Sequence, residues 1–147
     1  MARSDASVDL LAQVPLFSAC SKKELQAIAK RAQDVTVPAG TAVVREGEAG
    51  DAFYVIVSGQ AEVARSGQVV ATIGAGSFFG DLALLDRAPR NATVTAITEM
   101  ELIVLGQREF STMLDEAGGF ARKLLVALAH RLREMDATTS SITAEVA

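Results

Sequence analysis

The 147 residues are half apolar and 22% charged, enough to bury one core without disulfides and far from a disordered composition. A formal net charge of −4 speaks against a face that tracks a phosphate backbone, so no direct nucleic-acid partner is expected. One histidine, His130, and one cysteine, Cys20, are too few for a small-barrel metalloenzyme, a haem or an iron–sulfur centre, and a lone thiol suits a reducing cytoplasm.

The first seven residues include an arginine but no long apolar run, and 8–14 is interrupted by charge, so no signal peptide is expected. No window holds the ~18 consecutive apolar residues of a membrane span. The expected location is the cytoplasm. Residues 8–32 read as helical. Leu10, Leu11, Val14, Leu16 and Phe17 gather around Pro15, and Cys20 reads as a small buried apolar group. Ser21 then opens a run in which Glu24, three residues on, completes a capping box, and Leu25, Ile28 and Ala29 form the predicted buried stripe.

Between about 33 and 106 the period changes. Short runs rich in β-branched residues cover 35–37, 41–45, 53–57, 61–64, 69–73, 93–97 and 101–105, separated by glycine-containing breaks. Such spacing predicts a β-sandwich, jelly roll or barrel. One segment disagrees. Over 80–86 the residues Asp81, Leu82, Ala83, Leu84 and Leu85 favour helix over strand, and local disagreement of this kind marks function.

Two helices are predicted over about 107–136. The first carries Phe110, Met113 and Leu114 on its apolar face and stops at Gly118-Gly119. The second, 120–135, spaces Ala121, Leu125, Leu128, Leu132 and Met135 as two heptads. That seam suits docking on the chain's own barrel or a homodimer through helix 120–135. His130 reads as solvated or facing a partner, with a lid role as the lesser reading. Residues 138–147, rich in Thr, Ser and Ala, are expected to fray, leaving one domain over 1–137.

The most informative stretch runs from Gly76 to Val94. Gly80 permits an unusual backbone at the mouth of a short helix, whose first N–H groups and dipole suit an anion such as phosphate. Arg90 follows a loop stiffened by Pro89 and can bind two phosphate oxygens at once. Asp81 is an acceptor suited to a ribose hydroxyl. Taken alone, Asp81 is an ordinary first-turn acid, and Arg90 a solvated loop residue paired with Asp86 or Glu46.

Phe79-Gly80-Asp81-Leu82-Ala83-Leu84 followed by Pro89-Arg90-Asn91-Ala92-Thr93-Val94 resembles the phosphate-binding cassette of cyclic-nucleotide-binding domains, the family of the catabolite activator protein and the regulatory subunits of cAMP-dependent kinase. A second block, Gly47 to Val63, resembles that family's early strand pair with its Gly-x-x-Gly-Asp turn. The resemblance covers roughly 10–135, as a stand-alone member of bacterial type. It implies a mainly β fold with flanking helices: an eight-stranded β-jelly-roll barrel, an inserted cassette helix, N-terminal helices and C-terminal hinge or lid helices.

The resemblance also implies a site. Arg90 pairs with the cyclic phosphate; Gly80, backbone N–H groups near Leu82, Ala83 and Ala92, and Asn91 complete its cradle. Asp81 stands where the family places a Glu that accepts the ribose 2′-hydroxyl, one methylene shorter. The ligand is cAMP or cGMP, with cAMP the default; no metal, cofactor or catalytic residue is expected, and the chain reads as a regulatory sensor rather than an enzyme. No helix-turn-helix pattern follows Met135, so output is expected in trans through an unidentified protein effector. The alternative is a degenerate fold that keeps the architecture as a protein-interaction module without nucleotide.

Overall fold

The change of period in the sequence is the boundary at which the chain passes from helix to sheet. The computed structural model describes the backbone of residues 2–116 and 118–146 and the side chains of 6–116 and 119–135. Helix α1 spans Ala2–Ala12, a single 3₁₀ turn covers Pro15–Phe17, and α2 spans Lys22–Arg31. The capping box forms as read: Ser21 N donates to Glu24 Oε1 at 2.8 Å, and Glu24 N donates to Ser21 Oγ at 3.2 Å. Leu25 and Ile28 are buried, with Ala29 partly so.

Eight strands follow: β1 (Gln33–Val37), β2 (Ala42–Val44), β3 (Ala52–Ser58), β4 (Ala61–Arg65), β5 (Gln68–Ile73), β6 (Phe78–Phe79), β7 (Thr93–Ala96) and β8 (Met100–Gly106). They form two four-stranded sheets, ordered β1-β8-β3-β6 and β2-β7-β4-β5. Every pairing is antiparallel, which gives the jelly-roll arrangement. Helices α3 (Gln107–Glu116) and α4 (Gly118–Val146) close the chain. Among the described residues no helix is long and apolar enough to cross a membrane.

The core has two parts. Ile56, Ala61, Val94, Ala96, Met100 and Leu102 fill the space between the sheets. A larger cluster joins the outer face of β3 and β8 to the helices. Its spine is aromatic: Phe53 on β3 meets Phe17 at 5.9 Å, Phe17 meets Phe110 at 6.1 Å, and Phe110 meets Phe120 at 5.7 Å. Edge-to-face and tilted contacts of this kind add to the burial of the rings. Leu84 enters the same cluster from the loop after β6 and is 1% exposed.

Three expectations are corrected. The insertion between β6 and β7 is a single 3₁₀ turn, Asp81–Leu84, rather than a helix across 80–86. Leu84 is drawn into the core, while Gly50 N donates to Ala88 O (3.2 Å) and Arg90 N to Glu48 O (2.8 Å), so the chain is pulled straight before a second turn can form. The second correction concerns α4. Leu125, Leu132 and Met135 of the expected seam are 66%, 60% and 58% exposed, and the buried face is Phe120, Leu124 and Ala127. Finally, α4 runs on to Val146, past the expected stop near 136, because no glycine or proline follows Gly119 to end it. The side chains of the tail expected over 138–147, and all of Ala147, lie outside the described residues.

Candidate functional site

β6 places the site. Its two residues pair with Tyr54 and Val55 of β3, so the chain leaves the sheet edge at Gly80 directly beside β3. Gly80 adopts φ +81°, a left-handed conformation that L side chains rarely take. The turn Asp81–Leu84 then packs Leu84 inward and leaves Leu82 46% exposed at the rim. A cleft of about 490 Å³ opens between this turn, the loop before β7 and the inner face of β2, β4, β5 and β7. Aliphatic side chains such as Val44, Val63, Ile73 and Val94 wall it, and Arg65, Asp81, Asp86, Arg90, Asn91 and Arg131 bring polar groups.

Arg90 is the most constrained of these. Its backbone is locked to the Gly47–Gly50 loop, because Arg90 N donates to Glu48 O and Gly47 N donates to Arg90 O, each at 2.8 Å. The two sequence blocks that resemble the family are therefore one hydrogen-bonded unit. Arg90 Nη2 donates to Ala52 O at 2.7 Å, and Cζ sits 5.7 Å from the Tyr54 ring centroid. Tyr54 in turn stacks on Phe79, with centroids 4.9 Å apart and planes 15° apart. Burial pushes the Tyr54 phenol above its usual range, with Arg90 opposing that shift.

Two glycines make room for the guanidinium. A Cβ at Gly50 would lie 2.7 Å from Arg90 Nε. One at Gly80 would run into Arg90 Nη1 and lie 2.8 Å from Ala52 O. The side chain is thus held against the mouth of the cassette turn and makes no hydrogen bond to Asp86 or Glu46, the partners expected of a solvated loop arginine.

At the other end of the cleft lies Asp81. It is 6% exposed, and its Oδ2 accepts from Arg131 Nη1 of α4 at 2.7 Å. Ala83 N donates to Gly80 O at 3.0 Å, so this N–H, expected to face an anion, is engaged within the turn.

All seven residues read from the sequence, Gly80, Asp81, Leu82, Ala83, Arg90, Asn91 and Ala92, line this single cleft. His130 is exposed and does not line it; its neighbour Arg131 does. Arg131 was not legible as a site residue, although it continues the spacing of Phe120, Leu124 and Ala127 on the buried face of α4.

A family model described as "Cyclic nucleotide-binding domain" matches residues 34–117, more than half of the chain. The cAMP-dependent protein kinase regulatory subunit of Yarrowia lipolytica is 45% identical over 106 residues, which is 71% of this chain and 28% of that protein. The chain therefore spans less than a third of that relative's length. Among solved structures, the N-terminal domain of a transcriptional regulator from Streptomyces coelicolor A3(2) superposes with a TM-score of 0.80 at 33% identity, covering 86% of this chain and 94% of that one. The regulatory domain of Toxoplasma gondii PKA, crystallised with cAMP, superposes with a TM-score of 0.70 at 33% identity, covering 76% of this chain and 44% of that one.

Proposed function

The chain belongs to the cyclic nucleotide-binding domain family, and from that premise we propose that it binds cAMP in the cleft between Arg90 and Asp81 and works as a regulatory module. The observation that carries this reading is the seating of the Arg90 guanidinium between Gly50 and Gly80, at the mouth of the cassette turn. A fork of N–H donors held there suits the cyclic phosphate. Gly80, Leu82, Ala83, Asn91 and Ala92 frame that phosphate, and Asp81 accepts the ribose hydroxyl. The aliphatic wall of β2, β4, β5 and β7 receives the base. The choice of cAMP over cGMP is supported by the cAMP-dependent regulatory subunit and the cAMP co-crystal among the similar proteins.

The response follows from the packing. Leu84 of the cassette turn lies in the cluster that also holds Phe110 and Phe120, so a shift of the turn is felt by α3 and α4. Ligand binding then selects between two packings by its differential affinity for them. The chain acts as a binding module in the cytoplasm, not as an enzyme, and signals in trans to a protein effector. The exposed row Leu125, Leu132 and Met135 on α4 is the surface on which a second copy would pair.

Calorimetric titration of the wild-type chain with cAMP and with cGMP tests this. Saturable heat with cAMP, and weaker binding of cGMP, is the expected result. The absence of heat and of any thermal stabilisation at millimolar cAMP would leave a protein-interaction module without nucleotide as the better account.

A further inference from the structure

Among the described residues two polar side chains are buried, Asp81 and Ser7. Asp81 is matched by Arg131. Ser7, on the core-facing side of α1 with Val8 and Leu11, is 8% exposed, and its hydroxyl has no hydrogen-bond partner among the described residues. Buried hydroxyls are normally satisfied, because an unpaired one costs the full desolvation of the group. No buried side-chain oxygen is left unsatisfied here, so the Ser7 oxygen opens into a cavity. That cavity is a second cleft, of about 280 Å³, between α1 and the strands β1, β8 and β3. It shares no lining residue with the cleft of Arg90 and Asp81.

The lining sets the class of ligand. Thr36 of β1 and Glu101 of β8 stand directly opposite in register, so their side chains share one face of the sheet. Asp34, two residues along β1, lies on the same face. Two acids and no basic side chain line the cleft, which favours a cation and repels an anion. We propose that this cleft is a second binding site, for a small primary ammonium ion with a short aliphatic body. An ammonium carries three N–H donors. Here it meets three oxygen groups on three elements, the Ser7 hydroxyl on α1, the Thr36 hydroxyl on β1 and the Glu101 carboxylate on β8. Asp34 is already engaged elsewhere and contributes charge, so Glu101 is the acceptor for the ion. Leu10 and Val57 give the aliphatic body its contact surface. The volume lies just under the about 300 Å³ at which drug-sized pockets begin, which keeps the ligand small. The bound ion ties α1 to the sheet, and it does so whether or not the other cleft takes a nucleotide.

The test is an NMR titration of the isotope-labelled full chain with hexylamine at neutral pH, where the amine is protonated. Hexanoate and 1-hexanol, with the same hydrocarbon body, serve as the anionic and neutral controls. Hexylamine should shift the backbone amide signals of Ser7, Thr36 and Glu101 saturably, with a Kd of about 1 mM or tighter. Both controls should bind at least about tenfold more weakly. Glu101→Gln should weaken hexylamine about tenfold, the worth of a hydrogen bond to a charged acceptor, and Ser7→Ala about threefold. Ser7→Leu, which fills the cleft, should abolish binding. Thermal melts establish that each variant is folded; Glu101 is exposed, so Glu101→Gln keeps the test decisive even where a Ser7 variant fails to fold. Equal binding of hexanol and hexylamine overturns the proposal, because the cleft would then be an apolar hole with no choice of charge. Undiminished binding by Glu101→Gln overturns it too, as do shifts that never saturate or that gather around Asp81 instead.

Discussion

The two ends of the cleft are held in opposite ways. Arg90 is fixed by its own surroundings in the sheet: the Glu48 and Ala52 carbonyls, the Tyr54 ring and the space left by Gly50 and Gly80. Asp81 is fixed by a residue on α4, through a single ion pair whose arginine is 37% exposed. The end proposed for the phosphate is thus part of the jelly roll, whereas the end proposed for the sugar is completed by a helix. On the proposed function, such a module keeps the Arg90 end formed while a movement of α4 changes the surroundings of Asp81.

The largest effect is expected where the two ends are tied together. Leu84→Ala empties a fully buried position between the cassette turn and the helices and should cost about 2–5 kcal/mol in urea denaturation. A loss below about 1 kcal/mol would mean that the turn and the helices are not coupled through this side chain. Next comes the rigid end. Gly80→Ala and Gly76→Ala both place a methyl at positive φ, 81° and 88°, but only at Gly80 does the methyl meet Arg90 and the Ala52 carbonyl. Gly76→Ala should cost about 1–2 kcal/mol from backbone strain alone. Gly80→Ala should cost clearly more and should also weaken cAMP binding; equal costs would show that the guanidinium is not confined there.

How much of this was legible in the sequence differs between the same two ends. Glycine breaks and β-branched runs located seven of the eight strands, and the motif from Phe79 to Val94 held the cassette residues of the cleft but not its wall of Val44, Val63 and Ile73. β6 escaped because two residues, Phe78 and Phe79, are too few to show a period. Propensity favours a longer helix for the cassette because it carries no knowledge of the pull between Leu84 and the Ala88–Glu48 region. The face of α4 that docks on the barrel is not fixed by the sequence, because apolar pairs such as Leu124/Leu125 and Ala127/Leu128 satisfy a heptad in either register. Only packing against Phe110 decides that Phe120 and Leu124 face in and Leu125 faces out. Arg131 was invisible for the same reason.

Smaller effects sharpen the contrast. A double-mutant cycle on Asp81→Asn and Arg131→Ala should give a coupling of about 0.5–1 kcal/mol to folding stability, shrinking with added salt because the arginine is partly exposed. A coupling of zero would detach α4 from Asp81. The weakest effect concerns how α4 is held at its other end, where Lys123 Nζ bonds the capping-box carboxylate of Glu24. That bond, then the Ser21 backbone, hold the Glu24 carboxyl below its ordinary value of 4.5. A depressed carboxylate stabilises the fold above its unfolded-state pKa, and that contribution disappears as pH falls through the lower folded value. Glu24→Gln should therefore cost about 0.5–1 kcal/mol at pH 7, with the gap to wild type closing below pH 4.5. A gap unchanged down to pH 3 or so would place the carboxylate outside this linkage.

The central claim is that Arg90, held by Gly50 and Gly80, is the anchor for a cyclic phosphate. Titration of cAMP into Arg90→Ala, with wild type alongside and folding verified by thermal melt, tests it most directly. Loss of the guanidinium fork should weaken binding by about a hundredfold or more, equally for cAMP and 2′-deoxy-cAMP. Binding of cAMP by Arg90→Ala as tightly as by wild type would contradict the account.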